Sequence, residues 1–405
     1  MPGADLQTLL APRSERMTAS EIRELLKILA RPGVISFAGG IPDPSLFDVG
    51  AFSAAYAAIL AEAEASRQAL QYSVSEGYLP LREWIAGRMA STGLACSTDN
   101  LVITGGSQQA LDFIGKLFIA PGDTVLVTAP TYLGALQAFN AYEPRYDKLG
   151  GNATAESIRN DARAAGSRPK LIYVVPDFAN PTGETMSRAA RERLLDLADE
   201  LDCLIVEDAA YAALRYDGEP VPPVAALDLA RTGDIERTRT LYCGSFSKTL
   251  APALRIGWAC GPREIVHRLT LAKQAADLHS PTINQMVMHR VAEAIFPDQV
   301  AKVKAVYRRR RDAMLAALER HAPPGVRWTR PDGGMFVWIT LPEGLDGRRL
   351  LERCIEEKNV AFVPGQAFFA DGSGTNTIRL SFSLPSEAVI ADGIARLCDM
   401  IRAMR

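Results

Sequence analysis

The stretch Ser245–Trp258, SFSKTLAPALRIGW, sets Lys248 beside two serines, Ser245 and Ser247, with Arg255 following at a short interval. Serine hydroxyls and an arginine fork suit a phosphate group. The lysine adds what arginine cannot, an amine that can deprotonate and form an imine with an aldehyde. A lone lysine is ordinarily a solvated side chain. This one follows an apolar run at an expected strand end, which favours anion binding over a solvated surface. A second anion site is written into GGSQ (105–108), where a strand-end turn opens a helix. There the backbone N–H groups of Ser107 and Gln108 point outward at the positive end of the helix dipole. A plain side-chain cap by Ser107 uses the same helix end and stays open. Asp208 closes the apolar run CLIVED. A buried carboxylate needs a partner, and a structural salt bridge is the bland alternative, with Glu207 alongside. Arg379, in TIRLSFS, reads as half-buried and in want of a carboxylate, from a ligand or from an internal salt bridge.

These residues need a frame that brings them together. From about Asn100 to Pro262, short apolar runs alternate with helical patterns such as SQQALDFIGKLFI and SRAARERLLDLADEL. The strand candidates are 101–104, 124–128, 171–175, 204–208, 240–244 and 256–261. Near-continuous apolar strands alternating with helices indicate an α/β fold with a mostly parallel sheet covered on both faces. In such folds ligands collect outside the carboxyl ends of the strands. After Ser280 the pattern changes to a long helical region (about 284–322), then alternating segments around the helix DGRRLLERCIEEKN. This predicts a smaller α+β domain, completed by an amphipathic N-terminal helix over 18–30.

Composition excludes several classes. The chain has 405 residues, 48% apolar and 23% charged, with a formal net charge of −2. That size suits two packed domains, and the charge gives no sign of nucleic acid or an anionic membrane as partner. No apolar stretch approaches the roughly 20 residues of a membrane span. The first twenty residues do not read as a signal peptide, and the chain reads as cytoplasmic. The six cysteines are scattered without a CxxC pair and mostly lie in apolar runs, so buried free thiols are expected. The four histidines show no metal-ligand spacing, and no metal is expected. The run RRRR at 308–311 falls on a helical pattern and reads as a solvated face.

A set of motifs, each weak alone, recurs in a specific order: YSVSEGYLPLRE (72–83), TGGSQQALD (104–112), APTY (129–132), PDFANPTG (176–183), VEDAAY (206–211), GSFSK (244–248), RIGW (255–258) and TIRLSFS (377–383). Over nearly its whole length the chain resembles the fold-type I pyridoxal-phosphate enzymes, specifically the class I/II aminotransferases. The resemblance implies a large domain (46–285) with a mostly parallel seven-stranded sheet sandwiched by helices. It also implies a small α+β domain (286–405), joined by an N-terminal segment (1–45). The implied cofactor is pyridoxal 5'-phosphate, carried by Lys248. Its phosphate would be held by Ser107, Gln108, Ser245, Ser247 and Arg255, and its ring nitrogen by Asp208. A charge pair about 4 Å apart at an effective dielectric near 20 is worth roughly 4 kcal/mol, enough to keep that nitrogen protonated as an electron sink. Asn180 and Tyr211 resemble the donors to the ring oxygen, a turn role being the bland reading of Asn180. Tyr132 resembles the aromatic that stacks on the ring, with simple packing as the alternative. Tyr72 resembles the residue that reaches the neighbouring subunit's cofactor and substrate, which implies a homodimer with shared sites. Arg379, with Asn180, resembles the binder of the substrate α-carboxylate.

The implied reaction is a ping-pong transamination between an L-α-amino acid and a 2-oxo acid, glutamate and 2-oxoglutarate being the expected pair, with Lys248 as general base and acid. The segment MTASEIRELLK…ISFAGGIPDPSLF resembles the subgroup of α-aminoadipate and kynurenine aminotransferases. There Ser20, Arg23 and Gly40 become side-chain contacts; Arg23 reads a distal carboxylate or is a surface charge paired with Glu21 or Glu24. Two rivals stand beside this reading: another pyridoxal-phosphate reaction (C–S lysis or decarboxylation), and a non-catalytic cofactor-binding sensor. The presence of both Lys248 and Arg379 speaks against the sensor.

Overall fold

The computed structural model describes residues 6–17, 33–150 and 154–405. Its strands in chain order are β1 (Ile35–Ser36), β2 (Leu101–Thr104), β3 (Thr124–Val127), β4 (Arg145–Lys148), β5 (Pro169–Val174), β6 (Leu204–Asp208), β7 (Thr240–Ser245), β8 (Gly257–Cys260), β9 (Arg327–Trp328), β10 (Phe336–Thr340), β11 (Val360–Ala361), β12 (Val363–Pro364) and β13 (Thr377–Ser381). The α-helices are α1 (Val49–Ala61), α2 (Ala63–Leu70), α3 (Leu79–Ala90), α4 (Ser107–Phe118), α5 (Leu133–Asn140), α6 (Ala155–Ala164), α7 (Arg188–Leu201), α8 (Val224–Thr232), α9 (Arg263–Ala276), α10 (Thr282–His321), α11 (Gly347–Arg353) and α12 (Glu387–Ala403).

Seven strands form one sheet in the order β2-β8-β7-β6-β5-β3-β4. All neighbours are parallel except β8, which runs antiparallel to both β2 and β7. Every residue of β2, β3 and β8 is buried. Helices therefore cover both faces, and the strands carry Val, Ile and Leu without alternation. The expected strands are all present, together with one that apolar patterning does not reveal. This is β4, RYDK, on the sheet edge, with no residue fully buried.

The second sheet, β12-β13-β10-β9, is antiparallel. Phe336, Val337, Ile339, Ile378 and Leu380 pack with Leu318 of α10 and Ile394 and Leu397 of α12 into one core. Strand β1 pairs in parallel with β11, so the chain just after residue 34 joins this second body. Ser381 N–H also donates to the Phe37 carbonyl at 2.8 Å. The expected N-terminal helix over 18–30 lies outside the described residues.

In the basic run at 308–311, Arg308 and Arg309 are exposed as a solvated face would be, whereas the other two arginines correct that expectation. Arg310 and Arg311 are buried and paired with Asp43 and Asp217, each at 2.6 Å. The partners come from distant loops, which helical patterning cannot show. Five of the six cysteines are buried free thiols, and Cys96 is partly exposed. No described helix is long and apolar enough to cross a membrane.

Candidate active site

The carboxyl ends of the parallel strands and the segment after β1 converge on a cavity of about 480 Å³. Ser107, Gln108, Tyr132, Asn180, Asp208, Tyr211, Ser245, Ser247, Lys248, Arg255, Arg379 and Gly40 all line it. Strand β2 runs into α4, delivering Ser107 as the first helical residue. Gly106, not Ser107, is the N-cap, and no side chain caps this end. The Ser107 hydroxyl is left for the cavity and the helix end open to an anion. Gly106 has φ +81°, and a Cβ there would collide with the Arg255 guanidinium, so only glycine permits this approach. Ser245 Oγ donates to Ser247 Oγ at 2.8 Å. Three hydroxyls, a guanidinium and a helix N-terminus thus face one corner, a donor set suited to a phosphate dianion.

Strand alternation separates the two adjacent carboxylates. Glu207 is buried away from the cavity and accepts the N–H groups of Val224 and Ala225 at 3.0 and 2.8 Å, capping α8, whose N-cap Pro223 offers no side-chain acceptor. Burial pushes its carboxyl up to about 7. Asp208 faces the cavity and makes no ion pair among the described residues, so the structural salt bridge is not formed. It accepts Tyr173 Oη–H at 2.9 Å and Ala210 N–H at 3.3 Å. Burial raises it to about 6, against the opposing pull of these hydrogen bonds and of Lys248. Tyr173 is a functional residue that the sequence reading missed. Its one signal is a phenol inside the aliphatic run LIYVV, since a buried hydroxyl must find a partner.

Lys248 Nζ donates to the Gly40 carbonyl at 2.9 Å. Burial first, then the Arg379 and Arg255 charges, pull its amine down to about 8, while Asp208 opposes them. An amine so placed is partly uncharged near neutrality and able to act as nucleophile or base.

Arg379 is 1% exposed, not half-buried as its strand pattern suggests. Phe336 and Phe368 cover its guanidinium at 4.3 and 5.0 Å. It donates to Asn180 Oδ1 at 2.8 Å and the Ala38 carbonyl at 2.7 Å, while its Nε has no partner. Among the described residues no carboxylate pairs with it, so the internal salt bridge is also absent. Burial lowers its pKa to about 10. Asn180 Nδ2 in turn donates to Tyr211 Oη at 3.4 Å. The Asn180 loop is anchored by buried Asp177, which accepts from Arg191 at 2.8 Å and Arg215 at 3.1 Å.

Tyr72 does not line this cavity; it is 78% exposed, edge-on to His279 at 5.9 Å. Ser20 and Arg23 lie outside the described residues. Among the described residues no cluster of His, Cys, Asp and Glu could hold a metal.

Every polar feature of a phosphorylated pyridine aldehyde has a counterpart here: the anion corner, the buried Asp208, the Tyr211–Asn180 pair, and an amine at Lys248. Together with the doubly covered sheet, this defines an enzyme built for pyridoxal 5'-phosphate. The family model of the class I and II aminotransferases matches residues 46–397. The aromatic-amino-acid aminotransferase 1 of Thermococcus litoralis is 43% identical over 99% of this chain and 96% of its own. The kynurenine aminotransferase of Pyrococcus horikoshii, solved in complex with PMP, superposes with a TM-score of 0.91 at 41% identity, covering 99% and 98% of the two chains. The α-aminoadipate aminotransferase of Thermus thermophilus, solved with N-(5'-phosphopyridoxyl)-L-leucine, gives a TM-score of 0.86 at 41% identity over 98% of each chain. The chain belongs to the class I and II aminotransferases, in the subgroup of the aminoadipate, kynurenine and aromatic-amino-acid enzymes. It is a transferase that uses pyridoxal 5'-phosphate to move amino groups.

Proposed function

We propose that this chain transfers the amino group of an L-α-amino acid to a 2-oxo acid in two half-reactions, with glutamate and 2-oxoglutarate as one pair, and that the residues of the cavity divide the work as follows. Pyridoxal phosphate supplies, when bound, the carbonyl that takes up the amino group and the ring that draws electrons from the α-carbon. Ser107, Gln108, Ser245, Ser247 and Arg255 would hold its phosphate, Asp208 its ring nitrogen, Asn180 and Tyr211 its ring oxygen, and Tyr132 its face. Lys248 would hold its carbonyl carbon, and the Lys248 amine, when free, would take the substrate α-proton and return it on the other side of the transfer. Arg379, held by Asn180 and the Ala38 carbonyl, orients the substrate by its α-carboxylate.

The observation that carries this reading is Arg379. A buried guanidinium costs several kcal/mol unless paired, and this one points into the same cavity as Lys248 without an acidic partner among the described residues. The Gly40 loop borders the substrate side chain in this reading, with Ser20 and Arg23 as further contacts. The 1–45 segment joins the 286–405 body, a division that the β1–β11 pairing supports.

Tyr72 completes the site of a second copy in a homodimer. Leu70, Tyr72 and Val74 are 75%, 78% and 56% exposed, an apolar strip of the kind that marks an interface.

The direct test is a single-turnover screen of glutamate, 2-aminoadipate, kynurenine, tyrosine and leucine against the loaded enzyme. Glutamate should discharge the visible band of the lysine-bound cofactor, and 2-oxoglutarate should restore it. Lys248→Ala should lack that band and lose turnover by roughly 10³-fold or more. Release of free ammonia together with a thiol or sulfide, or of carbon dioxide, would favour a different pyridoxal-phosphate reaction.

A further inference from the structure

The turn that opens α4 is gripped from both sides. The Gly105 carbonyl accepts from Arg255 Nη2 at 2.9 Å, and its N–H donates to Gln109 Oε1 at 2.8 Å. Gln109 leads on to an ion pair whose lysine is buried and whose aspartate reaches the surface. Its Oε1 also accepts from Lys273 Nζ at 3.0 Å, and its Nε2 donates to Asp277 Oδ2 at 2.8 Å. Lys273 has no exposed surface and contacts both Asp277 oxygens at 2.9 Å. Lys273 lies in the last turn of α9, and Asp277 is that helix's C-cap.

This arrangement fixes which way the Gln109 amide faces. A flipped amide would set its NH₂ against the Gly105 N–H and the Lys273 ammonium, donors with no acceptor between them, and its oxygen against a carboxylate. Lys273 and Asp277 therefore read opposite ends of one amide and allow a single orientation, the one that accepts from Gly105. The ion pair is neutral overall, so its effect on the turn is geometric and not a field on a distant anion.

We propose that Lys273 and Asp277 are positioning residues that act through Gln109 to hold the 105–108 turn and Arg255 in the shape that receives the cofactor phosphate. The inference rests on the assignment of that corner to phosphate. A side chain that merely glued α9 to α4 would stabilise the protein without distinguishing a phosphorylated from an unphosphorylated ligand.

The test compares pyridoxal 5'-phosphate with pyridoxal on cofactor-free protein, reading dissociation constants by absorbance. Lys273→Met should weaken pyridoxal phosphate by about tenfold, the scale of one lost buried hydrogen bond, and leave pyridoxal within about twofold. Gln109→Met should do the same without touching the buried lysine, which keeps the test alive should Lys273→Met fail to fold. Equal loss for both ligands, or no loss in either variant, overturns the proposal. A wild type that binds the two ligands equally overturns the phosphate assignment itself.

Discussion

Tyr173 of β5 donates its phenolic hydrogen to Asp208 Oδ2 at the end of β6, across 2.9 Å of fully buried space. Burial raises the Asp208 carboxyl to about 6, and this hydrogen bond is the largest influence pulling the other way. In Tyr173→Phe the carboxyl should therefore climb further. A protonated Asp208 cannot pair with a protonated ring nitrogen, so cofactor affinity should fall as pH drops through the Asp208 pKa. A hydrogen bond to a charged group is worth about 1.5–3 kcal/mol, which moves the fall upward by about one pH unit or more. Cofactor dissociation constants measured from pH 5 to 9 check this; superimposable curves for the two proteins would remove Tyr173 from the site.

The same carboxylate is held at the expense of stability. Asp208 in the cofactor-free protein titrates at about 6 against an ordinary 3.8. Between those values the native state binds more protons than the unfolded chain, so stability falls as pH rises through that window, and above it the whole penalty is present. At 1.36 kcal/mol per pH unit the penalty is about 3 kcal/mol. Asp208→Asn can still accept from Tyr173 and carries no charge. Without cofactor it should be more stable than the wild type at pH 7.5 by up to that amount, equal near pH 3.5, and almost inactive. Urea unfolding at the two pH values gives the comparison.

Arg379→Ala should raise the Michaelis constant for every amino donor while cofactor binding and its visible band persist. The loss of a desolvated carboxylate pair is worth roughly 2–5 kcal/mol. Arg379→Lys should recover only part of it, because an ammonium cannot grip both oxygens through a planar fork. Steady-state kinetics with donors of different side chains separate the possibilities. A loss confined to one donor would mean that Arg379 reads the side chain instead.

What the sequence disclosed follows the range of the forces involved. The core strands of the large sheet are visible because burial on both faces forces continuous apolar runs. Strand β4 is not, since an edge strand of Arg, Tyr, Asp and Lys buries too little to leave that imprint. The cofactor corner was legible because strand-end turns, a lysine and an arginine sit close together along the chain. Tyr173 and Asp208 are neighbours only across the β5–β6 pair, and the rings that bury Arg379 arrive from β10 and from residue 368. The buried state of Arg310 and Arg311 depends likewise on Asp43 and Asp217, far away in sequence. Contacts of that kind leave no period to read.

The shared site proposed for the homodimer makes a prediction that one chain alone cannot satisfy. Tyr72 is exposed and absent from its own cavity, so in the dimer read here it serves the other copy's site. Tyr72→Ala should then weaken cofactor binding and slow turnover although its own chain keeps Lys248, Asp208 and Arg379. Mixing it with inactive Lys248→Ala under conditions that let subunits exchange produces hybrids with two unlike sites. One site has lost both residues. The other combines Lys248 of one chain with Tyr72 of its partner and is intact. Random exchange makes half of the dimers hybrid, each with one working site, so activity should rise to about a quarter of the wild-type value, as two-fold symmetry requires. Activity that stays at the average of the two parent variants would show that Tyr72 acts within its own chain or not at all.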